Sequence, residues 1–203
     1  MHNIQEKDWA EDDWSSHTGM DADSDYCTSQ TFNDGRQAEK DVECEKPAQQ
    51  PFTIDYTFIR RGEAEIVFTF NERTIPVRAL FFTDPLLDLT ESALQLRKGA
   101  HNSSVVFIEN SGEHQLVFKR EQEGELTFEM RWFAKGEDVD QNPPNGYTVV
   151  FEGSTTVDAY SLQVLQILNN IDREPGVEQY KTKWINADFP SEAYCRLKME
   201  MDS

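Results

Sequence analysis

A sharp change in side-chain patterning near residue 50 divides this chain and constrains what it can fold into. Residues 1–50 are polar and acidic, with a few aromatic residues and almost no aliphatic ones. Such a segment buries too little apolar surface to offset the entropy lost on ordering. Residues 51–203 instead carry short runs in which apolar and polar side chains alternate, as in half-buried strands. We therefore expect an acidic extension over 1–50, disordered or loosely docked, and a single α+β domain over 51–203.

The second part predicts a largely antiparallel sheet of about six to seven strands packed against two to three helices. Its clearest strand is 126–132, where leucine, phenylalanine, methionine and tryptophan alternate with polar residues. Pro76 donates no backbone hydrogen bond, so we expect its strand to begin there or to lie at an edge. Asp84, followed by proline, is a good helix N-cap. Thr155 and Asp158 have the spacing of a capping box and predict a second, longer helix.

The charge of the chain limits its partners. It carries 38 acidic and 19 basic residues, a formal net charge of −19. This charge repels phosphate polyanions and anionic lipid, so we expect neither nucleic acid nor a membrane as partner. A basic protein is the better electrostatic match, and a merely solvated acidic surface is the simpler alternative. No apolar run approaches the ~18 residues that span a bilayer. The N-terminus lacks a signal-peptide pattern, so we expect a cytoplasmic location with free thiols.

Motifs for chemistry are missing from the sequence. There is no phosphate-binding glycine loop and no nucleophile elbow, and the histidines and cysteines lack metal-ligand spacing, so we expect no cofactor. Gly62 and Gly153 are interpreted as isolated turn glycines. Cys195 is expected to be a small buried apolar residue, because no base can be placed beside it. The glutamates between residues 109 and 129 leave open a pair of carboxylates for acid–base chemistry.

Two kinds of residue are candidates for binding a protein partner. The full set is Glu121, Glu123, Glu125, Phe82 and Phe133. The three glutamates crowd one predicted hairpin turn, where they favour a basic partner. By strand parity Phe82 lies opposite the inward-facing Phe81, and Phe133 lies opposite Trp132. Aromatic rings on an outer face need cover from a helix, the N-terminal segment or a partner.

Two segments carry a resemblance to a known class of proteins. Residues 83–89 read Thr-Asp-Pro-Leu-Leu-Asp-Leu, follow a predicted strand and open a helix. Residues 180–190 read Tyr-Lys-Thr-Lys-Trp-Ile-Asn-Ala-Asp-Phe-Pro and precede Leu197. This arrangement resembles small uncharacterised bacterial proteins, some of them similar to immunity proteins of contact-dependent or polymorphic toxin systems. The resemblance covers residues 50–200 and carries over no site residue.

The charge and the missing motifs predict a non-catalytic, acidic, protein-binding domain. The resemblance implies the sharper function of an immunity protein, which neutralises a toxin by covering its basic active site. One alternative is an accessory or regulatory domain of a larger bacterial assembly. Another is an enzyme that uses a carboxylate pair. The sequence leaves the oligomeric state open.

Overall fold

The described part of the chain contains seven strands and four helices in the computed structural model, which confirms the α+β class. The structure describes residues 52–122, 124–135, 146–174, 176–185 and 187–202. In chain order the elements are β1 (Thr53–Arg60), β2 (Glu63–Phe70), β3 (Arg73–Leu80), α1 (Pro85–Arg97), β4 (Asn102–Ile108), β5 (Gly112–Gln122), β6 (Glu125–Ala134), β7 (Thr148–Thr156), α2 (Val157–Arg173), α3 (Val177–Lys183) and α4 (Ser191–Met201). The extension predicted over 1–50 lies outside the described residues, so the boundary near residue 50 stays a prediction.

The strands form two sheets, with orders β1-β2-β3 and β4-β5-β6-β7. Every neighbouring pair is antiparallel, so the antiparallel character is confirmed and the strands divide between two sheets. Aromatic rings from both sheets share one core. Phe68 on β2 lies 5.8 Å from Phe107 on β4, and Phe70 lies 5.4 Å from Phe128 on β6, between ring centroids. Phe52, just before β1, fills the space between Phe68 and Phe128 at 6.2 and 4.6 Å.

The helix after β3 begins where its cap predicts. The Asp84 carboxylate accepts a hydrogen bond from the backbone N–H of Leu87 at 3.1 Å, and Pro85 is the first helical residue. Gly99 follows the helix with a φ of +91°, a conformation that costs glycine little. Local capping chemistry therefore sets both ends of α1.

The start of the long helix differs from its predicted cap by one residue. Thr156, and not Thr155, accepts a hydrogen bond through its side chain, from the backbone N–H of Ala159 at 3.1 Å. The reason is that β7 continues through Thr156, whose backbone is extended. The helix then buries Ile167 and leaves Leu165 half-buried.

Pro76 lies on an edge strand, as predicted, because β3 has β2 as its one neighbour in the sheet. Arg78, two residues further on, donates its backbone N–H to the Glu109 carboxylate at 3.3 Å. Residues two apart in a strand direct their backbone groups to the same side. Pro76 therefore faces the open side of β3, where its missing N–H removes no ladder bond.

The expected burial of Cys195 is wrong. Cys195 is an exposed free thiol on α4. The helix buries Ala193 and Leu197, which lie four residues apart on one face. Cys195 lies midway between them in sequence and so projects from the opposite side. Within the described ranges, no helix is long and apolar enough to cross a membrane.

Candidate functional site

A groove of about 340 Å³ runs between the open edge of β1 and helix α2, and we call it the edge groove. Its strand wall is formed by residues 54–58 and its helix wall by the polar face of α2. The lining residues are Ile54, Asp55, Tyr56, Thr57, Phe58, Gln163, Gln166, Ile167, Asn170, Ile171, Glu174 and Lys183. The groove exists because β1 pairs with β2 on one side and, within the described ranges, with no strand on the other.

The backbone of β1 presents hydrogen-bonding groups to this groove. The N–H of Ile54 points away from β2 and donates to the side-chain oxygen of Gln163 at 3.2 Å. Backbone groups alternate in direction along an antiparallel strand, so Tyr56 and Phe58 direct their N–H and C=O groups the same way. The strand wall is therefore a row of main-chain donors and acceptors.

The helix wall carries side-chain amides opposite that row. Gln163, Gln166 and Asn170 have the spacing that places side chains on one helix face. They span about 10 Å at a rise of about 1.5 Å per residue. The Gln163 amide donates to the oxygen of Gln166 at 3.2 Å, which extends the row of polar groups along the helix. Each amide offers both donors and an acceptor.

A cationic end closes the groove beyond Phe58. The Lys183 ammonium lies 5.3 Å from the centroid of the Phe58 ring. The backbone of Lys183 accepts a hydrogen bond from the N–H of Gly62 at 2.7 Å. Arg61, the residue before Gly62, is exposed. Among the described residues, neither cation has a carboxylate within salt-bridge distance. Gly62 has a φ of +75°, and a Cβ there would lie 2.8 Å from Ile185, so this junction requires glycine.

An exposed aromatic pair adjoins the same junction, and we call it the aromatic corner. Phe81 donates its backbone N–H to the Gly62 carbonyl at 3.0 Å. Its ring lies 4.6 Å from that of Phe82, and the two residues are 40% and 62% exposed. The expected inward position of Phe81 is therefore wrong, because β3 ends at Leu80 and strand parity does not extend beyond it. The role of Phe82 in binding stays a prediction.

Beside the corner lies a second hollow, of about 380 Å³. It is lined by Arg61, Lys181, Ile185, Ala187 and Asp188. The Lys181 ammonium contacts the Asp188 carboxylate at 2.7 Å. Arg61 is the lining cation that this ion pair leaves open to solvent.

The acidic hairpin is partly neutralised by its own lysine. The Glu121 carboxylate accepts from the Lys119 ammonium at 3.0 Å and from the Thr127 hydroxyl at 3.1 Å. These hydrogen bonds, that from Lys119 first, lower the pKa of Glu121. Glu125 is exposed on the facing strand, opposite Gln122. Glu123 lies outside the described residues.

Phe133 is half-buried at the other end of the same hairpin. Its ring lies 5.4 Å from that of Tyr147, so a neighbouring aromatic residue covers part of it. It pairs with Glu113, whereas Glu125 pairs with Gln122. That separation corresponds to roughly 30 Å at about 3.3 Å per strand residue. The structure therefore does not bring Phe133 and the hairpin glutamates into one surface.

A buried polar cluster joins the two segments that carry the sequence resemblance. The Tyr180 hydroxyl donates to the Asp84 carboxylate at 3.2 Å. Burial raises the pKa of Asp84 against the opposing effect of its hydrogen bonds. Burial, and then the charge of Asp84, raise the pKa of Asp88 to about 6. The Tyr56 hydroxyl is buried without a hydrogen-bond partner among the described residues, and burial raises its pKa.

This cluster has the two raised-pKa carboxyls that acid–base chemistry requires, at positions different from the glutamates that the sequence pointed to. Asp84 already caps α1 and accepts from Tyr180. Both of those contacts are structural, since they fix the start of α1 against α3. The arrangement explains the raised pKa values without a substrate.

Lowering the pH from 7 is expected to stabilise the fold through Asp88. Its pKa of about 6 lies above the ordinary value of 3.8, so the folded chain binds this proton more tightly than the unfolded chain. The stabilisation is complete below the ordinary pKa and is lost as the pH rises through about 6. Asp88→Asn should therefore flatten the urea midpoint plotted against pH between these values. Glu152→Gln, at an exposed carboxyl on β7, is the control, and equal slopes in both variants would contradict the assignment.

Sequence reasoning missed the edge groove. Gln163, Gln166 and Asn170 read as the solvated face of an amphipathic helix, and Lys183 reads as a surface charge. The amide spacing was visible in the sequence. The open edge of β1 was not, since it depends on which strands pair.

Comparison with known proteins gives one similar solved structure, the CdiA-CT/CdiI toxin and immunity complex from Enterobacter cloacae. The sequence identity is 10% and the TM-score is 0.40, over 58% of this chain and 99% of that chain. A likeness at this level carries no argument about function. The chain matches no protein-family model and no curated protein.

Proposed function

We propose that this chain is a non-catalytic protein-binding domain and that the aromatic corner is part of its contact surface. The observation that carries the proposal is the exposed pair Phe81 and Phe82, whose rings contact each other, with the exposed cation Arg61 next to Gly62, to which Phe81 bonds. Single exposed apolar residues are ordinary, whereas clustered aromatic residues with arginine are typical of binding hot spots. Support also comes from the chain's many exposed charges around this small apolar patch.

The sharper form of the proposal is an immunity protein that neutralises a toxin. Its support is the sequence resemblance of 83–89 and 180–190, the segments that meet at Asp84 and Tyr180. A second form is an accessory domain of a larger assembly, which would use the same corner. An enzyme with a carboxylate pair is the third candidate, and the raised pKa values of Asp84 and Asp88 favour it. Their structural contacts weigh against it.

Two surfaces of this chain predict different charges for the partner. Glu121 and Glu125 on the hairpin favour a basic partner, whereas Arg61 at the corner favours an acidic or neutral one. Variants at each surface separate these cases. Association with a basic partner should also slow steeply as salt rises, because steering acts over a Debye length of about 8 Å near physiological salt.

Phe82→Ser is expected to weaken binding of the natural partner at least tenfold, because loss of a hot-spot aromatic side chain costs more than about 1.4 kcal/mol. The partner is captured from the native host with the full chain, identified, purified and measured by surface plasmon resonance. The matched control is Leu162→Ser, which removes an exposed apolar residue from α2.

Two outcomes contradict the assignment of the corner. One is equal weakening by Phe82→Ser and Leu162→Ser. The other is unchanged affinity in Phe82→Ser with slower association after the double change Glu121→Lys and Glu125→Lys, which would move the contact to the hairpin. If Asp84 and Asp88 have only structural roles, Asp84→Asn combined with Asp88→Asn should leave partner binding unchanged. A change in binding would favour the enzyme that acts on this partner.

A further inference from the structure

We infer that the edge groove binds an extended segment of a partner protein as an added strand beside β1, with a carboxylate of that segment held by Lys183. This inference names the partner's chemistry and so rests on the proposed protein-binding function. It concerns a surface separate from the Phe82 side chain. Three features of the described residues carry it: the open strand edge, the facing amides and the Lys183 ammonium, which has no carboxylate partner among them.

The two edges of the three-stranded sheet differ in how they are protected. Proteins block open edges with proline, charged residues or bonded side chains, because an open edge pairs with other chains. The β3 edge has Pro76 and the bond from Arg78 N–H to Glu109. The β1 edge has no proline over residues 54–58, and its devices among the described residues are the exposed charge of Asp55 and the bond from Ile54 to Gln163, which leaves the backbone of Tyr56 and Phe58 open. This edge is therefore competent for strand addition.

The helix wall is suited to a polypeptide backbone. An added strand has donors and acceptors on both of its sides, and β1 satisfies one side only. Gln163, Gln166 and Asn170 offer amide groups on the other side over about 10 Å, the length of about three extended residues. Amide side chains bond main-chain N–H and C=O groups without regard to sequence. The groove should therefore exclude proline and otherwise tolerate many side chains.

The cation at the Phe58 end gives the site its charge preference. Lys183 lines the groove and lacks a carboxylate partner among the described residues, in a chain of net charge −19. A carboxylate on the bound segment would form charge-assisted hydrogen bonds there. Glu174 on the helix wall and Asp55 on the strand wall line the same groove and oppose a carboxylate. Removing the charge of Glu174 and that of Lys183 should therefore change affinity in opposite directions.

The first test is selection of a phage-displayed library of random nine-residue peptides on the immobilised full chain. Enriched peptides should be poor in proline over a central stretch and carry aspartate or glutamate at one end. The control target combines Gln166→Ala and Asn170→Ala, with its fold checked by a cooperative thermal transition. Enrichment should be lost on this variant and kept on Phe82→Ser.

The second test is fluorescence anisotropy with the most enriched peptide. Lys183→Gln should weaken binding about three- to tenfold, since a hydrogen bond to a charged group is lost, and Glu174→Gln should strengthen it. Methylating the peptide's backbone nitrogens one at a time should weaken binding most at every second position, where the N–H pairs with β1, and less at the positions between, where it faces the side-chain amides. That period of two is specific to strand addition.

Several results would overturn the inference. The inference is wrong if folded protein enriches no peptide over the input library, or if the double amide variant retains the enrichment. It is also wrong if the methylation scan shows no period of two. Dimerisation of the chain that the double amide variant abolishes would assign the groove to a second copy instead. If selection fails while Phe82→Ser still abolishes capture of the natural partner, the groove inference falls and the proposed function stands.

Discussion

Replacing Phe128 with alanine is expected to lower the free energy of unfolding by about 3 to 5 kcal/mol. Phe128 is 1% exposed on β6. Its ring lies 4.6 Å from Phe52, 5.4 Å from Phe70 and 5.6 Å from Phe151, between centroids. Alanine would forfeit the transfer free energy of the ring and leave a cavity that contacts from both sheets keep from collapsing. Urea unfolding followed by tryptophan fluorescence measures the change.

The neighbouring residue provides the control. Glu129 projects to the opposite side of β6 and pairs with Arg131 on the surface at 2.8 Å. Glu129→Ala should cost under about 0.5 kcal/mol, because exposed ion pairs contribute little. Similar costs for the two variants would mean that the register of β6 is wrong.

The Phe128 ring explains the glycine at position 153, which the sequence analysis wrongly placed in a turn. Gly153 reads as an isolated turn glycine, but it lies within β7, directly opposite Phe128. A Cβ at Gly153 would lie 2.8 Å from the Phe128 ring and would overlap that of Phe70. Sequence shows a glycine, and only the packing of two strands shows that an aromatic ring occupies the space where its side chain would be.

Features of the fold with local causes were predictable. The start of α1 follows from Asp84 and the proline after it, and the edge position of Pro76 follows from its missing N–H. The burial of Leu126, Phe128 and Met130 follows from a period of two, whereas Trp132, expected on the same face, is half-buried. Each of these depends on a few adjacent residues, so the sequence window contains the whole cause.

Features set by long-range pairing were not predictable. The alternating pattern of β1 is the same whether its second neighbour is another strand or an open groove. The division of the strands into two sheets leaves that edge free, and no residue in β1 encodes the division alone. The hairpin shows the same limit for charge, because counting glutamates did not show that Lys119 neutralises Glu121.

Only part of the candidate site was therefore predictable from the sequence. Phe82 is 62% exposed, but strand parity does not account for it, since β3 ends at Leu80 and Phe81, expected to face inward, is exposed as well. The cations that give the corner and the groove their charge were hidden by a net charge of −19. Arg61 and Lys183 come from distant parts of the chain, and the bond from the Gly62 N–H to the Lys183 carbonyl joins their two segments.

Replacing Trp184 with alanine is expected to cost about 3 to 5 kcal/mol and to impair binding at both proposed surfaces. Trp184 is 0% exposed. Its ring centroid lies 6.5 Å from that of Phe58, and its backbone N–H donates to the Tyr180 carbonyl at 2.7 Å, where α3 ends. It therefore supports the segment that holds Lys183 against the groove and Ile185 against Gly62. Urea unfolding measures the loss of stability, and anisotropy with the selected peptide measures the loss of binding.

Trp184→Phe is the matched control for Trp184→Ala, because it keeps an aromatic ring and removes the indole N–H. Among the described residues, this buried group has no hydrogen-bond partner, so removing it leaves no new unsatisfied atom and relieves a desolvation cost. Phenylalanine also retains most of the ring volume, so the cost should stay below about 1.5 kcal/mol and the peptide should bind as before. If Trp184→Phe were as destabilising as Trp184→Ala, the N–H would have a partner that matters. If Trp184→Ala folded with unchanged peptide affinity, the groove would not depend on the packing that positions Lys183.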